Sequence, residues 1–168
     1  MKPLIFTLLF SFLSLPHVYS DGTFEIRLGI TDHVKGWVKH HHEGEDIWIS
    51  PDPVITSEMI SSAEYKWVEP LLSKEEIEAI KKIDPNVRLS SNATESYIEI
   101  EITLTEEGAK KQSAVTEDSA GSLMVFMFEG KILTAPRIME KISGDVAVIT
   151  GKFTEERAKM ITNVLNQK

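Results

Sequence analysis

The sequence predicts an α+β fold: a mixed, mainly antiparallel sheet with helices packed on one face. Three observations carry this expectation. The segment Tyr97–Leu104 alternates strictly, with Ile98, Ile100, Ile102 and Leu104 on one side and Tyr97, Glu99, Glu101 and Thr103 on the other, the period of a strand with one buried face. Several further short β-prone runs are separated by turn residues rather than by regular crossover helices, so the order is not that of a doubly wound parallel sheet. Ser73, Thr105 and Thr154 each precede acidic residues, the signature of a capped helix start.

The elements follow from the N-terminus. Lys2 precedes an apolar run over residues 4–15, broken only by Thr7, Ser11 and Ser14 and closed by Pro16. Val18 and Ser20 stand where a signal peptidase requires short side chains, so residues 1–20 read as an export signal cleaved before Asp21. The run falls short of the ~20 residues that a membrane-spanning helix needs. The chain has no cysteine, which excludes a lipid-anchored form and disulfide staples and leaves the fold to hydrophobic burial. The expected location is the bacterial periplasm or the exterior. The formal charge is −8, and losing Lys2 with the signal makes the remainder more acidic still. Such a domain repels nucleic acid and anionic lipid surfaces.

In the remainder, residues 23–30 alternate as a strand. Residues 31–46 lose that period and read as a long polar loop with room for a short hairpin, and Ile47–Trp48–Ile49 forms a short strand ended by Pro51 and Pro53. Thr56–Ser57–Glu58 suggests a helix start running to about Ser62, and residues 64–69 alternate again before Pro70. Ser73 and Glu76 have capping-box spacing for a helix that Pro85 stops. After the strand Tyr97–Leu104, Thr105 starts a helix to about Asp118. The run Leu123–Phe128 is continuously apolar, as in a central strand covered on both faces, and Glu129–Gly130 turns it toward residues 131–133. Residues 138–142 and 146–150 give two further short strands around Ser143–Gly144–Asp145, and Thr154 starts the last helix. The expected core comprises Ile98, Ile100, Ile102, Leu104, Val125, Phe128, Val148, Ile161 and Leu165. Residues 21–96 and 97–168 form two parts of one continuous domain.

The chemistry-bearing residues gather in one place. His33 and His40–His42, followed by Glu43, Glu45 and Asp46, offer imidazole and carboxylate ligands of the kind that Zn²⁺ or Cu²⁺ takes. Consecutive residues of an extended segment point in alternating directions, so at most two of the three adjacent histidines can face one ion. A solvated polar loop accounts for the segment more simply, and His33, His40 and His42 remain as candidates for the alternative, a periplasmic metal-binding protein. No Ser-His-Asp or Cys-His arrangement, dinucleotide loop, phosphate loop or HExxH motif occurs, so the sequence gives no grounds for an enzyme or a cofactor. Glu99 and Glu101 read as ordinary surface charge.

Several segments, taken in order, carry a family likeness. Residues 100–111, then Thr116–Glu117, residues 130–138, Ile142–Ser143–Gly144 and residues 149–156 resemble the head subdomain of the large periplasmic domain of SecD, the accessory subunit of the bacterial Sec preprotein translocase. A looser likeness extends upstream through residues 49–51, 53–56 and 60–63. The resemblance implies a non-enzymatic role in protein export, with a polypeptide or protein partner engaged by the head. SecD couples to the proton gradient through membrane-spanning helices. No apolar run long enough to span follows residue 20, so only the polypeptide-handling role carries over. The exposed edges of short strands suggest β-strand addition as the mode of engagement.

Overall fold

The computed structural model describes residues 23–167, so the export signal expected at residues 1–20 lies outside the described residues. In chain order the elements are β1 (Phe24–Ile30), β2 (Val38–His42), β3 (Glu45–Ile49), β4 (Ile55–Thr56), a 3-10 turn (Ser57–Met59), β5 (Ile60–Val68), α1 (Lys74–Ile83), α2 (Ser91–Thr94), β6 (Tyr97–Leu104), α3 (Glu106–Asp118), β7 (Leu123–Phe128), β8 (Lys131–Thr134), β9 (Val146–Gly151) and α4 (Glu155–Asn166). They form two antiparallel sheets. One has the order β2-β3-β1-β7-β8, with β4 also paired to β1; the other has the order β5-β6-β9. No helix among the described residues is long and apolar enough to cross a membrane.

Local chemistry explains why these segments adopt these forms. The hairpins β2-β3 and β7-β8 both turn on a Glu-Gly pair with positive φ at both residues, 50° and 88° at Glu43 and Gly44, 51° and 72° at Glu129 and Gly130. This is the two-residue turn whose twist matches that of paired strands. Ser73 and Glu76 form the expected capping box, and the backbone amide of Ser73 draws the Glu76 carboxyl below its usual range. Thr105 and Thr154 accept hydrogen bonds from the amides of Gly108 and Arg157, closing the first turns of α3 and α4. A side chain at Gly108 would come within 2.6 Å of the Met59 carbonyl, so only glycine lets α3 lie this close to the chain before β5.

The inward residues of β6, Ile98, Ile100, Ile102 and Leu104, are buried together with Phe24 and Ile26 of β1, Met124, Phe126 and Phe128 of β7, and Ala158, Ile161 and Leu165 of α4. The opposite face of β7 contributes Leu123, Val125 and Met127 to a smaller cluster with Ile47 and Ile49. Every residue of β7 is therefore buried, as expected of a strand covered on both faces. Both halves of the chain contribute to each sheet, since β1 pairs with β7 and β5 with β6.

Three expectations fail for identifiable reasons. The segment after Thr56 makes only the 3-10 turn before entering β5, because Thr56 provides no side-chain cap and Ile60 already pairs with Leu104. Residues 138–142 form no strand: Ile138 is buried, but the pairing there is a single bridge between Leu123 and Arg137. Val148 lies outside the core. It is 46% exposed, whereas Ala147 and Ile149 point inward, so the parity of β9 is the reverse of that expected.

Truncating Ile100, fully buried at the centre of β6, to alanine should lower stability by about 2–5 kcal/mol in denaturant unfolding. An unchanged unfolding midpoint would contradict this register.

Candidate binding surface

The histidine segment is a strand of a hairpin, and its side chains diverge. His41 Nδ1 lies 3.1 Å from Asp46 Oδ1, and Lys39 Nζ lies 2.6 Å from the other oxygen of that carboxylate. Hydrogen bonds from Lys39 and then His41 hold the Asp46 carboxyl below its usual range. His40 pairs across the strands with Ile47; burial first, and the Arg27 guanidinium second, depress its pKa below the ordinary histidine value. His33 packs edge-on against Trp48, with ring centroids 4.3 Å apart. His42 stands opposite Glu45 at the hairpin end. The fold therefore does not gather His33, His40 and His42, and among the described residues no group of three or more His, Asp or Glu side chains is arranged to hold a metal ion. Glu99 and Glu101 share one cation, lying 3.9 and 3.1 Å from Lys66 Nζ on the outward face of the second sheet.

The two edges of that second sheet differ. Between β5 and β6 the register pairs Ser62 with Thr103 and Glu64 with Glu101, and the alternation of an antiparallel ladder turns the backbone groups of Ala63 away from β6. Both of them are taken by one side chain: the Ala63 amide donates to Asn166 Oδ1 at 2.9 Å, and Asn166 Nδ2 donates to the Ala63 carbonyl at 2.8 Å. The last residue of α4 thus occupies the place of a neighbouring strand. On the other flank, the Leu104 amide donates to the Asp145 carbonyl, and the register pairs Ile102 with Ala147 and Ile100 with Ile149. The same alternation directs the backbone groups of Val146 and Val148 outward. Strand β8 comes within 8 Å of β9, but no backbone hydrogen bond joins the two among the described residues. Val146 and Val148 are 44% and 46% exposed. The β9 edge is open where the β5 edge is closed.

Beside this open edge lies a cavity of about 200 Å³ between β9, β7, α3 and the segment after β8. Met124, Phe126, Ile138 and Ala147 contribute apolar walls, and Gln112 of α3 and Arg137 also line it. Gln112 is 1% exposed, and neither its Oε1 nor its Nε2 has a hydrogen-bond partner among the described residues. One turn further along α3, Thr116 Oγ1 accepts from the Ile142 amide at 2.9 Å and ties down the far wall. Sequence reasoning missed Gln112 and Asn166. The inward stripe of α3 is Gly108, Gln112 and Thr116, which has helical spacing but no large apolar residue to reveal it.

The architecture is that of an α+β module offering a sheet edge. Solved structures share its fold. One, described as "Structure and function of a membrane component SecDF that enhances protein export", superposes with a TM-score of 0.57 at 19% identity, covering 88% of this chain and 63% of that one. Another, "Crystal structure of SecDF in Super-membrane-facing form", gives 0.55 at 20% identity, covering 86% of this chain and 18% of that one. Residues 70–167 match the family described as SecDF, P1 head subdomain, and the chain belongs to that family. The protein translocase subunit SecDF of Thermus thermophilus is 39% identical over 67 residues, 40% of this chain and 9% of that protein. The SecD subunit of Calditerrivibrio nitroreducens is 32% identical over 83 residues, 49% of this chain and 16% of that protein. The chain thus matches only a small part of the curated relatives' length.

With its histidines dispersed, the hairpin should gain little from metal. Saturating a genuine site at a hundredfold excess over its dissociation constant would add about 2.7 kcal/mol. Micromolar Zn²⁺ should leave the melting temperature unchanged; a rise abolished by the double substitution His40→Ala and His42→Ala would make the hairpin a metal site.

Proposed function

We propose that this chain is an exported, non-enzymatic head module of the protein-export apparatus, and that it engages polypeptide in extended form along the open edge of β9. The observation that carries the reading is the asymmetry of the sheet: the outward backbone groups of Ala63 are taken by Asn166, while those of Val146 and Val148 face outward beside an apolar cavity. An extended chain gains backbone hydrogen bonds at such an edge whatever its sequence, which suits a module that handles many different polypeptides. Membership of the SecDF P1 head family, and the description of SecDF as a membrane component that enhances protein export, support the export context. The signal-like residues 1–20 support a location beyond the inner membrane.

The mode of engagement can be tested by removing one outward amide. Proline at a free edge position leaves the internal ladder intact but cannot donate to an added strand. Val148→Pro should retain the melting temperature within a few degrees and lose most of its binding to an unfolded exported precursor, measured by fluorescence anisotropy. Undiminished binding by a folded Val148→Pro variant would place the polypeptide elsewhere.

A further inference from the structure

We propose that α1 is a docking surface for a second copy of this chain, the two helices lying antiparallel across a two-fold axis at Ala79. The helix lies in the connection between β5 and β6, and no residue in it is buried. Ile77 and Ile80 are half-buried and mark the side turned toward the rest of the domain. On the helical period, Glu75, Ala79 and Lys82 share another side, and all three are exposed. Ile83 beside them is 87% exposed, and Leu71, just ahead of the helix, is 75% exposed.

Charge and shape single out the occupant. The chain carries a formal charge of −8, which repels a second copy over most of its surface. Within α1 three lysines balance three glutamates, so the helix is a neutral patch on an acidic protein. Its acids, Glu75, Glu76 and Glu78, lie in the N-terminal half, and Lys81 and Lys82 lie in the C-terminal half. Parallel copies would set like charges side by side, whereas antiparallel copies set Glu75 of each beside Lys82 of the other. Within one helix these two residues are two turns and about 10 Å apart, too far to pair with each other. Neither has an ionic partner among the described residues. At the centre, the small side chain of Ala79 lets two helix backbones approach closely. The same arrangement brings Ile83 of one copy toward Leu71 of the other and takes both from water. A helix dipole favours the same order of charges but does not account for the exposed Ile83 and Leu71. A helix of 10 residues offers far less than the ~1,600 Å² of a standard interface, so the pair forms weakly and reversibly.

Analytical ultracentrifugation of the purified protein over a concentration series tests this. A monomer–dimer equilibrium with a Kd of about 100 µM is expected, the strength of a small interface. Glu75→Lys, an exposed substitution that sets lysine against lysine in both pairs, should weaken it about tenfold. Combining Glu75→Lys with Lys82→Glu should restore it, because the reversed pairs are again complementary. The chain has no cysteine, so Ala79→Cys introduces a single thiol that should crosslink two copies on air oxidation. Glu78→Cys, on a different side of the helix, should not. A protein that stays monomeric at millimolar concentration overturns the proposal. So does a dimer indifferent to Glu75→Lys, which would use another surface, or equal crosslinking of the two cysteine variants. A weakened dimer that the double substitution fails to restore would not be antiparallel about Ala79, which also overturns it.

Discussion

Strand β6 is hydrogen-bonded along both flanks and buried along one face, and the elements around it are placed by that condition. Its four inward residues, Ile98, Ile100, Ile102 and Leu104, are each no more than 3% exposed. A one-residue slip would turn Glu99 and Glu101 into the core and expel all four, so the register is fixed by hydrophobic burial against the cost of burying charge. With β6 fixed, Thr105 launches α3 from its end, α4 packs over β5 and β6, and β5 and β9 become the edges of a three-stranded sheet. A central strand satisfied on both sides necessarily leaves two outer edges, and the fold treats them differently.

That difference connects structure to role. An open sheet edge invites pairing with any extended chain, which is hazardous unless it is guarded or used. Asn166 guards one edge by presenting a carboxamide where a peptide group would otherwise sit, and its hold on Ala63 joins the C-terminal end of α4 to the sheet. The β9 edge has no such guard among the described residues, although β8 runs nearby. In the proposed role, an edge left available would hold chains of unrelated sequence, because backbone groups are common to all of them.

Much of the fold was legible in the sequence because local signals and burial agreed. The alternation of β6, the capped starts at Ser73, Thr105 and Thr154, and the apolar run of β7 each specify one form. The β2-β3 hairpin carried the same Glu-Gly turn as β7-β8, but His40, His41 and His42 mask any alternation, since a histidine can face either side. In β9 Val148 was expected in the core; the structure buries Ala147 and Ile149 instead because the ladder with β6 sets the parity. The proposed binding surface was the least legible part. It consists of outward backbone groups of β9, and what sets it apart from the β5 edge is the asparagine that ends α4; neither forms a motif. Periodicity reports where side chains point; it does not report which sheet edge is left without a neighbour.

The central claim is that one edge of the second sheet is closed by a side chain and the other is open. Residue-resolved amide hydrogen exchange addresses it directly, because exchange follows the hydrogen bonding of each amide. The account predicts slow exchange at Ala63, held by Asn166, and at Ile149, held by β6, with fast exchange at Val148 between Ala147 and Ile149 in the same strand. An Ala63 amide that exchanges as fast as a loop residue, or a Val148 amide protected as strongly as Ile149, would contradict it.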